Sequence, residues 1–130
     1  MAPKVNLTPA VQRITAAEDL VGIWRREEPD SSSSKLWREY RSDGTYRVAV
    51  TRDGLEANPL VVGEYQFEGT QFIVVDTSAQ PGWDECIAGG HRGRYEVQVV
   101  QTGKIRFVKL EDGCSSRSMM LPHGEFIRAD

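Results

Sequence analysis

Arg94-Tyr95-Glu96-Val97-Gln98-Val99-Val100-Gln101, then Thr102-Gly103, then Lys104-Ile105-Arg106-Phe107-Val108-Lys109-Leu110 is the stretch that decides the fold. Tyr95, Val97 and Val99 alternate with Glu96, Gln98 and Val100, the period of two that a half-buried strand shows. Thr102-Gly103 turns the chain, and a second run of the same kind follows at once. Two such runs joined by a short glycine turn read as a β-hairpin.

The pattern recurs toward the N-terminus. Ser42-Asp43-Gly44 joins a strand at 35–41 to one at 45–51, because Asp-Gly supplies the positive φ of a tight turn. Tyr46, Val48 and Val50 fall on one face of the second strand, and Asp53-Gly54 marks another turn. Residues 61–67 form a further strand with Gly63, Tyr65 and Phe67 in phase, and Glu68-Gly69-Thr70 turns it into 71–76. Residues 20–24 read as the first strand, 115–121 and 125–129 as the last two. The one helical signal is a turn through Ala16-Ala17-Glu18-Asp19, with Thr15 as N-cap and Glu18 at the capping-box position.

Sequential hairpins give an up-and-down meander, which either leaves two open edges or closes on itself. Gly124-Glu125-Phe126-Ile127-Arg128 is placed to pair with the first strand. The expectation is an all-β fold, an antiparallel up-and-down barrel of eight to nine strands, favoured over a sandwich. Residues 1–15 read as an N-terminal tail and 16–130 as one barrel domain.

The 130 residues suit one domain. Hydrophobic residues are 39% and charged residues 27%, with a net charge of −3. That balance argues against nucleic-acid binding, which needs a basic stripe. No apolar run approaches the ~18 residues of a membrane span. Met1-Ala2-Pro3-Lys4-Val5-Asn6 has no hydrophobic core of a leader, so no signal peptide is expected in this chain. Both a cytoplasmic protein and a secreted mature domain stay open.

Gly22-Ile23-Trp24, after the helical turn and at the start of the first strand, resembles the G-x-W signature of lipocalin-like (calycin) barrels. The resemblance implies that Trp24 plugs one barrel end and that a basic side chain from a late strand packs across its ring. Arg117 is the best match for that residue and Arg128 the second. The chain departs from the family in lacking a T-D-Y-x-x-Y element and a long helix after the last strand. Without the resemblance, Trp24 reads as a plain core tryptophan.

Alternate residues of a barrel strand point to the lumen. The candidate lining is Tyr40, Tyr46, Val48, Tyr65, Phe67, Phe72, Val74, Tyr95, Val97, Ile105, Phe107 and Met119. These side chains either surround a ligand or fill the core. The four tyrosines favour a ligand, since each buried hydroxyl needs a partner. Arg38 shares a face with Leu36 and Tyr40, and a buried guanidinium needs an anion: a ligand carboxylate, or an internal acid such as Asp76 or Glu39.

The long loop at 77–92 carries Pro81-Gly82-Trp83 and Gly89-Gly90. Trp83 reads either as a cap on the barrel mouth or as part of a surface loop pinned by Cys86 to Cys114. The two cysteines form a disulfide or remain two free thiols. Neither CxxC nor a His-rich spacing is present, so no metal is expected. His91 reads either as a general base or as a solvent-facing loop residue, and it has no sequence-local carboxylate partner. No Walker motif or nucleophile elbow occurs, so no catalytic residue is assigned and no cofactor is expected. The polar loop 29–34 reads as a solvated connection or a flap.

The function expected from this reading, with the resemblance, is binding of a small hydrophobic or amphipathic molecule inside the barrel. The alternatives are a small barrel enzyme of the cyclase or isomerase type acting on an apolar substrate, and an interaction domain with a filled core.

Overall fold

A computed structural model describes residues 11–27 and 36–130; the loop at 29–34 lies outside the described residues. A two-residue strand, β1 (Arg13–Ile14), and a one-turn helix, α1 (Ala17–Leu20), lead into β2 (Gly22–Glu27). There follow β3 (Trp37–Tyr40), β4 (Thr45–Ala49), α2 (Gly54–Ala57), β5 (Val61–Glu68) and β6 (Gln71–Ala79). The chain ends with α3 (Glu85–Ala88), β7 (Arg92–Gln101), β8 (Lys104–Asp112), α4 (Ser115–Met120) and β9 (Glu125–Arg128).

Strands β2 to β9 pair antiparallel, each with its neighbour in sequence, and β9 returns to β2 to close an eight-stranded barrel. The hairpin that decided the fold is β7–β8, paired from Gly93↔Asp112 to Gln101↔Lys104. Closure is made by Trp24↔Arg128, Arg25↔Ile127, Arg26↔Phe126 and Glu27↔Glu125. Arg13 and Ile14, expected in the tail, pair with Gln98 and Val97 of β7, and Ile14 is buried in the core.

Trp24 is 2% exposed and donates its indole N–H to the carbonyl of Leu20 at 2.9 Å, tying β2 to the end of α1. The guanidinium across its ring belongs to Arg128, 4.4 Å from the ring centroid, and not to Arg117. The register explains the correction, because Arg128 is the residue that faces Trp24 across the closing pair. Arg128 also donates to the carbonyls of Val21 and Asp19, at 2.9 and 3.2 Å, tying the end of α1 to the barrel. Gly22, at φ +141°, lies under this guanidinium, and a Cβ there would collide with it.

Other expectations change on the structure. Residues 115–121 are not a strand: they form α4, because Cys114, Arg117 and Leu121 recur at i, i+3 and i+7 and all three are buried. The helix turns Met119 outward, 74% exposed, so it does not line the lumen. Val50 is exposed because β4 ends at Ala49, and Asp53-Gly54 opens the one-turn helix α2. Ala16, not Thr15, is the N-cap of α1, with no side-chain capping bond. The loop expected at 77–92 is shorter, since β6 runs to Ala79, α3 occupies its middle and β7 starts at Arg92.

Candidate functional site

The barrel interior divides into a filled part and a hollow part. The filled part is a web of rings. Tyr40 meets Tyr65 and Phe72 edge-on at 5.2 and 5.8 Å, Phe72 meets Phe107 at 5.4 Å, and Phe107 meets Phe126 at 5.6 Å. Tyr95 reaches Phe107 at 6.4 Å, and Phe67 packs on Phe72 at 5.6 Å. Val74, Val97 and Ile105 complete the same core. So Tyr40, Tyr65, Phe67, Phe72, Val74, Tyr95, Val97 and Phe107, all expected on the lumen, sit in packed core and lie off the cavity wall.

The hollow part is a half-open cavity of about 230 Å³ with a mostly apolar wall. It brings together Arg38, Tyr46, Val48 and Trp83 of the expected site residues. Leu36, Val61 and Met120 add apolar wall, and Asp76 and Arg117 add buried charge. The rest of the wall comes from the β6–β7 connection, with Gly82, Trp83, Glu85 and Cys86, and from Ser116, Arg117 and Met120 of α4.

Cys86 and Cys114 form a disulfide with 28 residues of separation, which settles the alternative left open by the sequence. It joins α3 to the N-terminal end of α4. A loop of this length gives about 3–4 kcal/mol in the chain-entropy model. The Glu85 carboxylate adds a second tie, accepting from the Ser115 hydroxyl at 2.5 Å and the Ser116 N–H at 3.3 Å.

Two in-phase glycines let buried polar groups reach one another through the wall. Tyr46, Gly63 and Asp76 stand side by side on β4, β5 and β6. Gly63 has no side chain to block the Tyr46 ring, where a Cβ would collide with it, so the phenol crosses β5 and donates to the Asp76 carboxylate. On β7, Gly93 faces Asp112, and the Arg117 Nε passes 3.0 Å from where a Cβ would stand. Arg117 thereby donates to Asp112 through Nε at 2.6 Å and Nη2 at 3.0 Å, to Asp76 at 3.3 Å and to the His91 carbonyl at 3.0 Å.

The two carboxylates titrate in opposite directions. Burial pushes Asp76 above the usual carboxyl range, and the nearby Arg117 and Arg38 only partly offset it. Burial also acts against the Asp112 charge, but hydrogen bonds from Arg117, Tyr95 and the Cys114 N–H outweigh it and hold that carboxyl low. Asp112 also accepts from the Tyr95 hydroxyl at 2.6 Å, and burial with this bond pushes the phenol far up. Tyr65 donates to the Arg41 carbonyl at 2.7 Å and is pushed up to about 12, mainly by burial. The Tyr40 phenol is raised by burial and sits beside the Arg38 guanidinium. All four tyrosine hydroxyls thus have protein neighbours, so they do not call for a ligand.

Asp112, the anchor of Arg117, was missed from sequence, and Asp76 appeared only as one option for pairing Arg38. The available signal was glycine at in-phase strand positions, which marks a close approach by a neighbouring group. His91 turns its ring between Gly89 and Gly113 and contributes its carbonyl, not its imidazole, to the Arg117 network. Among the described residues no His, Cys, Asp and Glu cluster is arranged to hold a metal. No helix of the described residues is long and apolar enough to cross a membrane. The chain matches no family model, no curated protein and no solved structure.

Proposed function

We propose that the protein binds a small hydrophobic or amphipathic molecule in the hollow end of the barrel. The observation that carries this reading is the division of the interior: rings fill one part, while an apolar cavity of about 230 Å³ stays open in the other. Concave, mostly apolar sites with a few placed polar groups are where small molecules bind. The barrel closure and Gly22-Ile23-Trp24 with its overlying Arg128 support placing the chain among lipocalin-like barrels. Calorimetric titration with small neutral aromatics tests the reading. Saturable one-site binding that is lost when Val48→Phe fills the cavity is expected, and no saturable binding across the series overturns it.

The Tyr46–Asp76 pair favours a second reading, a small barrel enzyme of the cyclase or isomerase type. A buried carboxyl with a raised pKa, bonded to a phenol on the cavity wall, is a pair suited to moving a proton. A ligand recovered unchanged after prolonged incubation with the protein contradicts it, and turnover abolished by Tyr46→Phe supports it.

A further inference from the structure

The buried charges of the cavity are unequally matched. Arg117 is held by Asp112 at 2.6 Å and by Asp76 at 3.3 Å. Asp76 is further engaged by the Tyr46 hydroxyl. Arg38 is only 7% exposed and lines the same cavity, and among the described residues no carboxylate is in ion-pair contact with it. Its Nε–H is buried without a hydrogen-bond partner. Its guanidinium lies 5.6 Å from the Phe126 ring centroid, and its polar neighbour is the Tyr40 phenol, which carries no charge at neutral pH. A guanidinium removed from water among rings and a phenol, with Asp76 acting on it only through longer-range attraction and no carboxylate in contact, is an incomplete site for an anion, since its planar donors suit a carboxylate.

Size and charge narrow the anion. An apolar cavity of 150 Å³ holds benzene, so about 230 Å³ takes a molecule on the order of ten non-hydrogen atoms. The buried cluster holds two guanidiniums, Arg38 and Arg117, against two carboxyls, Asp112 and Asp76, and burial holds Asp76 toward its neutral form, which leaves room for one further negative charge and not for two.

We propose that the cavity takes a small monocarboxylic acid with a compact apolar body, its carboxylate on Arg38 and its body against Val48, Val61 and Trp83. This rests on the binding reading above and names the ligand class for that site.

The test is a calorimetric titration of the intact, oxidised protein with phenylacetate and with its neutral isostere phenylacetamide, and with octanoate as a non-aromatic acid. Phenylacetate is expected to bind one site at least tenfold more tightly than phenylacetamide. Arg38→Met should bring the acid down to the level of the amide, and Arg38→Lys should keep part of the preference. A parallel measurement needs no variant: the Arg38 Nε–H resonance of the native protein should shift on adding phenylacetate and stay in place with phenylacetamide. Equal affinities, or tighter binding of the amide, overturn the carboxylate assignment and leave the binding reading standing. Binding of none of the three ligands overturns both.

Discussion

The two parts of the barrel interior are made from the same eight strands but are held together by different forces. In the filled part, Phe72 and Phe107 sit among other rings with no polar atom to satisfy, and packing decides the energy. In the hollow part, Arg117, Asp112 and Asp76 hold the wall in place through charge-assisted hydrogen bonds, and an open volume remains beside them. A packed interior resists any change of volume. A polar scaffold around a hollow resists loss of a charge partner but has room for an added side chain.

Removing Phe72 or Arg117 sharpens this contrast most. Phe72→Ala is expected to cost about 3–5 kcal/mol through the lost burial and the void. Arg117→Met is expected to cost about 3–5 kcal/mol because it leaves buried carboxylates unpaired. The pH dependence separates the two in urea denaturation. The depressed pKa of Asp112 gives native stability that is present above its unfolded value and lost as pH falls through its folded value. Without Arg117 that contribution is gone, so the gap between Arg117→Met and the native protein should narrow on acidification. The gap for Phe72→Ala should stay constant. Asp76 runs the other way: its raised pKa costs stability near neutral pH, and the cost is relieved as pH falls through its folded value. A pH-independent Arg117→Met penalty contradicts the charge-based account of this end.

Opening the disulfide staple comes next. Cys86→Ser with Cys114→Ser is expected to cost about 3–4 kcal/mol, read as a shift of the denaturation midpoint. The loss should appear first in hydrogen exchange of α3 and α4, with the β7–β8 hairpin still protected. Uniform loss of protection would show that the staple supports the whole barrel.

Adding volume gives a smaller and asymmetric effect. Val97→Phe, in the filled part at 0% exposure, should cost about 1–3 kcal/mol by overpacking. Val48→Phe, facing the cavity, should cost under about 1 kcal/mol because its ring enters open space. Equal penalties would mean that the cavity closes in solution. A similarly small effect is expected beside Trp24: the cation–π contact of Arg128 is partly exposed, so its loss in Arg128→Lys, which keeps a charged donor for the Val21 and Asp19 carbonyls, should cost about 0.5–1 kcal/mol.

Much of the frame was legible in the chain. Glycine turns at Gly44, Gly69 and Gly103 and the alternation of β7 gave the meander, and Phe126 and Ile127 gave the closing strand. The helix α4 was misread because Ser115-Ser116-Arg117-Ser118 carries no apolar stripe of its own. Its inward face is a cysteine, an arginine and a leucine, a spacing visible only if Cys and Arg are counted as buried. A strand at 115–121 would deliver Arg117 to the barrel wall, whereas α4 turns it to Asp112 and leaves Trp24 to Arg128. The strand residues expected on the lumen are buried, Phe67 only partly, but alternation has no means of separating ring-filled core from cavity. That division depends on depth along the barrel, which alternation does not encode. Arg38, Tyr46, Val48 and Trp83 reach the cavity, while the other strand residues named with them pack against one another.

The most direct test of the divided interior is a methyl NMR titration of the native protein with benzyl alcohol, whose size suits the cavity. The account predicts saturable shifts at Leu36, Val48, Val61 and Met120, with Val74 and Val97 unmoved. Shifts centred on Val74 and Val97, or no saturable shift at any methyl, would contradict it.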